Sequence, residues 1–109
     1  MNTARLVDIY GTDREAISEI FGLFVRMTGP QLETLRHAVQ ERDMETVLTV
    51  AHTLKGSAGN MGAEELAELL QKTEEAVKAT DWAQALSLHA QIMEAFSSVR
   101  EFIEAYGHD

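Results

Sequence analysis

Ala51-His52-Thr53-Leu54-Lys55-Gly56-Ser57-Ala58-Gly59-Asn60-Met61-Gly62 places a histidine, a lysine one turn later and a glycine beside that lysine inside an otherwise helical pattern. Each helical residue advances about 100°, so positions i+3, i+4 and i+7 share a face. With His52 as origin, Lys55, Gly56 and Gly59 fall within roughly 60° of it, as do Glu45, Leu48 and Thr49 on the N-terminal side. Val47, Val50, Ala51, Leu54, Ala58 and Met61 gather on the opposite side, the stripe that a core-facing helix buries. His52 is therefore expected to face solvent beside a cation.

Glycine inside a helix costs about 1 kcal/mol relative to alanine, so Gly56 and Gly59 on one face call for a reason. Close approach supplies one, because a surface without Cβ atoms lets another molecule reach the helix backbone beside His52. A neutral imidazole is a nucleophile whose charge changes near physiological pH. A phosphoryl group placed on it would carry close to two negative charges, and Lys55 lies one turn away to neutralise them. Histidine, lysine and glycine floor together read as a phosphoryl acceptor on which another protein docks. Leu48 is either a scattered surface leucine or the apolar part of that docking patch, and Thr49 has the same two readings. Gly59 is either part of the floor or a glycine near the helix end.

His52-Thr53-Leu54-Lys55-Gly56, followed by Gly62, resembles the signature of histidine-containing phosphotransfer domains, and is similar to the phosphotransfer domain of chemotaxis histidine kinases. The resemblance implies a four-helix bundle with the histidine exposed on its second long helix. It implies that His52 exchanges a phosphoryl group with an aspartate on a response-regulator receiver domain, or receives it from a hybrid histidine kinase. Lys55 would then stabilise the phosphate charge, Gly56 would admit the partner, and Leu48, Thr49 and Gly59 would line the docking face. Any Mg²⁺ is expected on the receiver, with no cofactor or metal in this chain.

The pattern on either side agrees with a bundle. Thr3 to Tyr10 reads as a short helix stopped by Gly11. Thr12-Asp13-Arg14-Glu15 reads as a capping box opening a longer helix, with Ile17, Ile20, Phe21, Phe24, Thr28, Leu32, Leu35 and Val39 in helical register. Gly29-Pro30 interrupts it, but the apolar register continues through the pair, which favours one kinked helix over two. Asp43 and Asp81 are the expected caps of the second and fourth helices, with Gly62 in the turn between the second and third. Leu66, Leu69, Leu70, Thr73 and Val77 form the inward stripe of the third helix. Trp82, Ala85, His89, Ile92, Phe96, Val99, Ile103 and Tyr106 form that of the fourth. His89 is expected to be a satisfied core or boundary histidine, and residues 107–109 a frayed tail. The fold class is all-α: an up-down antiparallel four-helix bundle with a short additional N-terminal helix.

The chain of 109 residues is expected to form one domain over residues 1–109. It contains no cysteine, so there is no disulfide framework, and a reducing cytosol suits it. A net charge of −9 argues against nucleic acid and anionic membrane surfaces as partners. No apolar run approaches the roughly 18 residues of a membrane span. A cytoplasmic, free-standing monomer is expected. Neither a Walker-type nucleotide loop nor a kinase signature occurs, so autonomous ATP-dependent phosphorylation is not expected. Two other functions compete. One is an adaptor bundle that docks receivers without accepting phosphate. The other is a metal-binding bundle, against which the absence of any Glu-x-x-His pair speaks.

Overall fold

The computed structural model describes residues 3, 4, 7, 8, 11 and 13–106. Four helices carry the fold: α1 (Arg14–Gln40), α2 (Met44–Asn60), α3 (Glu64–Lys78) and α4 (Trp82–Tyr106). Consecutive helices pack side by side and α4 closes against α1, giving the expected antiparallel bundle. Of the short N-terminal helix, Ala4, Val7 and Asp8 are helical. Gly11, at φ +66°, ends that segment, its N–H donating to the Val7 carbonyl at 2.7 Å. Leu6, Ile9, Tyr10, Thr12 and the tail 107–109 fall outside the described residues.

The cap of α1 is Asp13, whose carboxylate accepts from the Ala16 N–H at 3.0 Å. This corrects the capping-box reading, since Glu15 then sits one position too early to reach back to the cap. The helix runs unbroken through Pro30, which lies on the solvent side. Asp43 caps α2 by accepting from the Thr46 N–H at 3.2 Å, and Asp81 caps α4 by accepting from the Gln84 N–H at 3.0 Å.

The connections repeat one device. After α1 the Asp43 N–H bonds the Ala38 carbonyl and Arg42 bonds Val39. After α2, Ala63 bonds Ala58 and Gly62 bonds Gly59. After α3, Asp81 bonds Ala76 and Thr80 bonds Val77. Each is a Schellman closure with a left-handed residue in the middle, at φ 55°, 76° and 56° for Arg42, Gly62 and Thr80. The residue that completes each closure is also the N-cap of the next helix, so the chain reverses within three residues (41–43, 61–63, 79–81). Gly62 was legible as a turn; Arg42 and Thr80 carry no such signature.

The core is aliphatic, built from Leu32, Leu35, Val47, Leu54, Leu70 and Ile92 with their neighbours. Alanines 51 and 58 are fully buried on α2, which lets that helix sit close to its neighbours. At the open ends of α1 and α4, Phe21 meets Tyr106 edge-on at 5.3 Å between ring centroids. Arg14 lies over the Tyr106 ring and donates to its carbonyl at 2.8 Å.

His89 is buried as expected but is not satisfied: among the described residues, neither ring nitrogen has a hydrogen-bond partner. Burial holds its pKa below the ordinary value, the Arg36 guanidinium acts in the same direction, and Glu33 opposes them. The unfolded chain therefore binds the proton more tightly, and the stability that neutral His89 provides is complete above about pH 6.5 and lost as pH falls below it.

Two outcomes are expected. Chemical denaturation at pH 8 and pH 5 should show a larger loss of stability for the wild type than for His89→Leu, and equal losses would refute the assignment. Thr80→Gly should raise the melting temperature, because a β-branched residue in the left-handed region is strained by about 1–2 kcal/mol, partly offset by the entropy of glycine.

Candidate functional site

His52 projects from the middle of α2, its side chain 78% exposed. Helical phase explains this, since Val47, Ala51, Leu54 and Ala58 occupy the buried side and turn His52 outward. Gly56 follows one turn on, and a Cβ built there or at Gly59 would meet nothing within 4 Å. Nothing among the described residues therefore requires these two glycines. The open surface beside the ring matches the close-approach argument.

Lys55 sits beside the ring but is engaged with α3. Its side chain is only 27% exposed, and its Nζ lies 3.1 Å from Glu74 Oε1 and 3.3 Å from Oε2, while donating to Gln71 Oε1 at 2.6 Å. Its charge therefore already has a partner in the unloaded protein. Glu74 is the residue that the sequence reading missed. Its carboxylate is 9% exposed, and Oε1 also lies 4.0 Å from Nδ1 of His52. A buried carboxylate is expensive to desolvate unless paired, so Lys55 and Glu74 hold one another in place. The available signal was a glutamate bordering the inward stripe of Leu70, Thr73 and Val77.

The docking candidates divide. Thr49 is exposed one turn before His52, and its carbonyl accepts from the Thr53 hydroxyl at 3.1 Å. Gly59 is half-buried. Leu48 is half-buried and packs on the core. On α1, Leu23 and Met27 are 46% and 55% exposed. With Gln31 they line a groove completed by Ser57, Asn60 and Met61 of α2. Asn60 stands two turns beyond His52, about 12 Å along the axis. Leu23 and Met27, four residues apart and off the buried stripe, were the sequence signal for this groove. Among the described residues, no group of three or more His, Cys, Asp or Glu side chains is placed to hold a metal ion.

Comparison with known proteins bears on this arrangement. The crystal structure of histidine-containing phosphotransfer protein B from Pseudomonas aeruginosa PAO1 superposes with a TM-score of 0.88 at 25% sequence identity, covering 96% of this chain and 91% of that one. No match was found among curated proteins. The model of the Hpt domain matches residues 19–106, a span that contains the histidine helix, all of α3 and α4, and α1 except for its first turn. The chain belongs to the Hpt domain family and serves as a phosphorelay intermediate.

Proposed function

We propose that His52 is the phosphoryl acceptor of this phosphorelay intermediate, taking the group from a receiver-domain aspartate or a histidine kinase and passing it to another receiver. The observation that carries the reading is the exposed imidazole fixed on a helix, with nothing among the described residues above the adjacent Gly56. Transfer needs a nucleophile presented in line with the phosphorus and its leaving oxygen. A ring nitrogen supplies the lone pair, the N–P bond forms as the P–O bond to aspartate breaks, and that electron pair returns to the carboxylate. The reverse step regenerates the acyl phosphate.

The bundle's part is presentation. α2 is buttressed by α1 and α3, so the imidazole meets an incoming receiver at a fixed angle with little reorganisation. Leu23 and Met27 offer the apolar area that a docking partner can bury, and the Gly56 surface lets that partner come close to the ring. Any divalent cation assisting transfer would belong to the receiver. The chain lacks a nucleotide-binding loop, so it acts as a carrier that others load. The reading takes it as a cytoplasmic monomer, in keeping with a cysteine-free chain and with the lack, among the described residues, of a helix long and apolar enough to cross a membrane.

The direct test is incubation with a phosphorylated receiver. Wild-type protein should acquire an acid-labile label that His52→Gln does not, and label persisting in the variant would remove His52 from the mechanism. Gly56→Ala separates docking from chemistry. It should stabilise the fold by roughly 0.5–1 kcal/mol, as alanine does in an open helix interior, yet slow transfer from a receiver at least tenfold. Its reaction with a small phosphodonor should be unchanged. Equal slowing with both donors would show that Gly56 serves the ring and not the partner.

A further inference from the structure

We propose that the outer face of α4 is a self-association surface, through which two copies of this chain pair weakly and antiparallel with their histidines turned outward. The inference stands apart from the carrier reading and uses none of the residues assigned to it.

Helical phase sets the face. Ala85, Leu88, Ile92, Ala95 and Val99 are buried, which turns Ala83, Leu86, Ala90, Met93 and Ser97 away from the core. These five recur at alternating intervals of three and four residues, the spacing with which one helix packs along another. Leu86 and Met93 are 49% and 44% exposed, and Ala90 between them lets a second backbone come close. The chain carries a net charge of −9, yet no Asp, Glu, Lys or Arg occurs from Trp82 to Met93. Two like-charged copies can therefore meet on this surface without setting charge against charge. α4 packs between α1 and α3 and stands diagonally across the bundle from α2, so a second copy seated there leaves His52 uncovered.

The details of the face fit an antiparallel copy. A two-fold axis at Ala90 sets Leu86 beside Met93 of the second copy and Ala83 beside its Ser97, filling the hollows on either side of the two central alanines. The same axis brings the exposed Glu94 to Ser87 of the second copy, whose hydroxyl can donate to it. Glu101 arrives at the level of the second copy's exposed Lys78, opposite in charge. A parallel pair would instead gather Glu94, Glu101 and Glu104 of both copies at one end and align the two helix dipoles. The five seam residues fall well short of the roughly 20–30 a side that a standard interface uses. The pair is accordingly weak: a single bundle when dilute, and a dimer only in the range of about 0.1–1 mM.

Sedimentation velocity from about 10 µM to about 1 mM tests the pairing, and the wild type should pass from monomer to dimer across that range. Leu86→Glu, at an exposed position, puts a charge into the seam and should weaken the pair at least tenfold, with far-UV circular dichroism and the rate of phosphoryl transfer to His52 unchanged. The chain has no cysteine, so single-cysteine variants report the geometry. With oxidised glutathione present, two thiols join as a disulfide and the oxidant is released as two reduced molecules. Ala90→Cys should cross-link to itself, whereas Ala83→Cys and Ser97→Cys should cross-link to each other when mixed and not to themselves. Self-linking of Ser97→Cys without the mixed product would mark a parallel pair and overturn the arrangement proposed. A wild type that stays monomeric up to about 1 mM would overturn the inference altogether and leave the face to a helix of another protein.

Discussion

The pairing of Lys55 with Glu74 depends on register, and register is fixed by the turn at 61–63. Lys55 lies one and a half turns before the end of α2, and Gln71 and Glu74 lie two to three turns into α3. A reversal completed in three residues leaves the two helices little freedom to slide, so these side chains meet whenever the turn closes correctly. The left-handed Gly62 and the paired bonds from Gly62 and Ala63 back into α2 make that closure. An added residue in this turn would rotate α3 by about 100° and leave a buried carboxylate facing the core without its cation. The chemistry of the histidine surface is in this sense built at the far end of a hairpin.

What the sequence disclosed and what it withheld follow from range. Helical phase acts between residues three and four apart, so the exposed His52 with Gly56 on its flank, the buried face of α2 and the caps at Asp43 and Asp81 could all be read locally. The contact between Lys55 and Glu74 spans nineteen positions and needs the angle between two helices, which no single periodicity contains. The turns at Arg42 and Thr80 were obscured for another reason. Closure there is imposed by the helices on either side, and residues that dislike the left-handed region are held in it by tertiary packing. His89 kept its apolar register as expected, but whether its nitrogens found partners was a question about α1 that its own helix could not answer.

Stability and access pull in opposite directions along α2. Ala51 and Ala58 on the buried side bring the helix close to its neighbours, which stiffens it, whereas Gly56 on the open side weakens it. A surface helix selected for stability alone would carry alanine at 56, since nothing in the fold opposes a methyl group there. The exposed Leu23 and Met27 extend the same argument to α1, where apolar area is left in water beside the histidine face. Each feature is unfavourable in the isolated chain.

A carrier differs from an enzyme in what its site must avoid. Strong stabilisation of the phosphorylated ring would make loading easy and unloading slow, because the complement of a tightly held state is a high barrier to its departure. A bare lysine beside the histidine would tend toward that outcome. An exposed ring in water already limits the electrostatic gain, since charges there interact through a high dielectric. Lys55 is moreover already paired with the buried Glu74 carboxylate at 3.1 Å, a contact that the register of the two helices fixes.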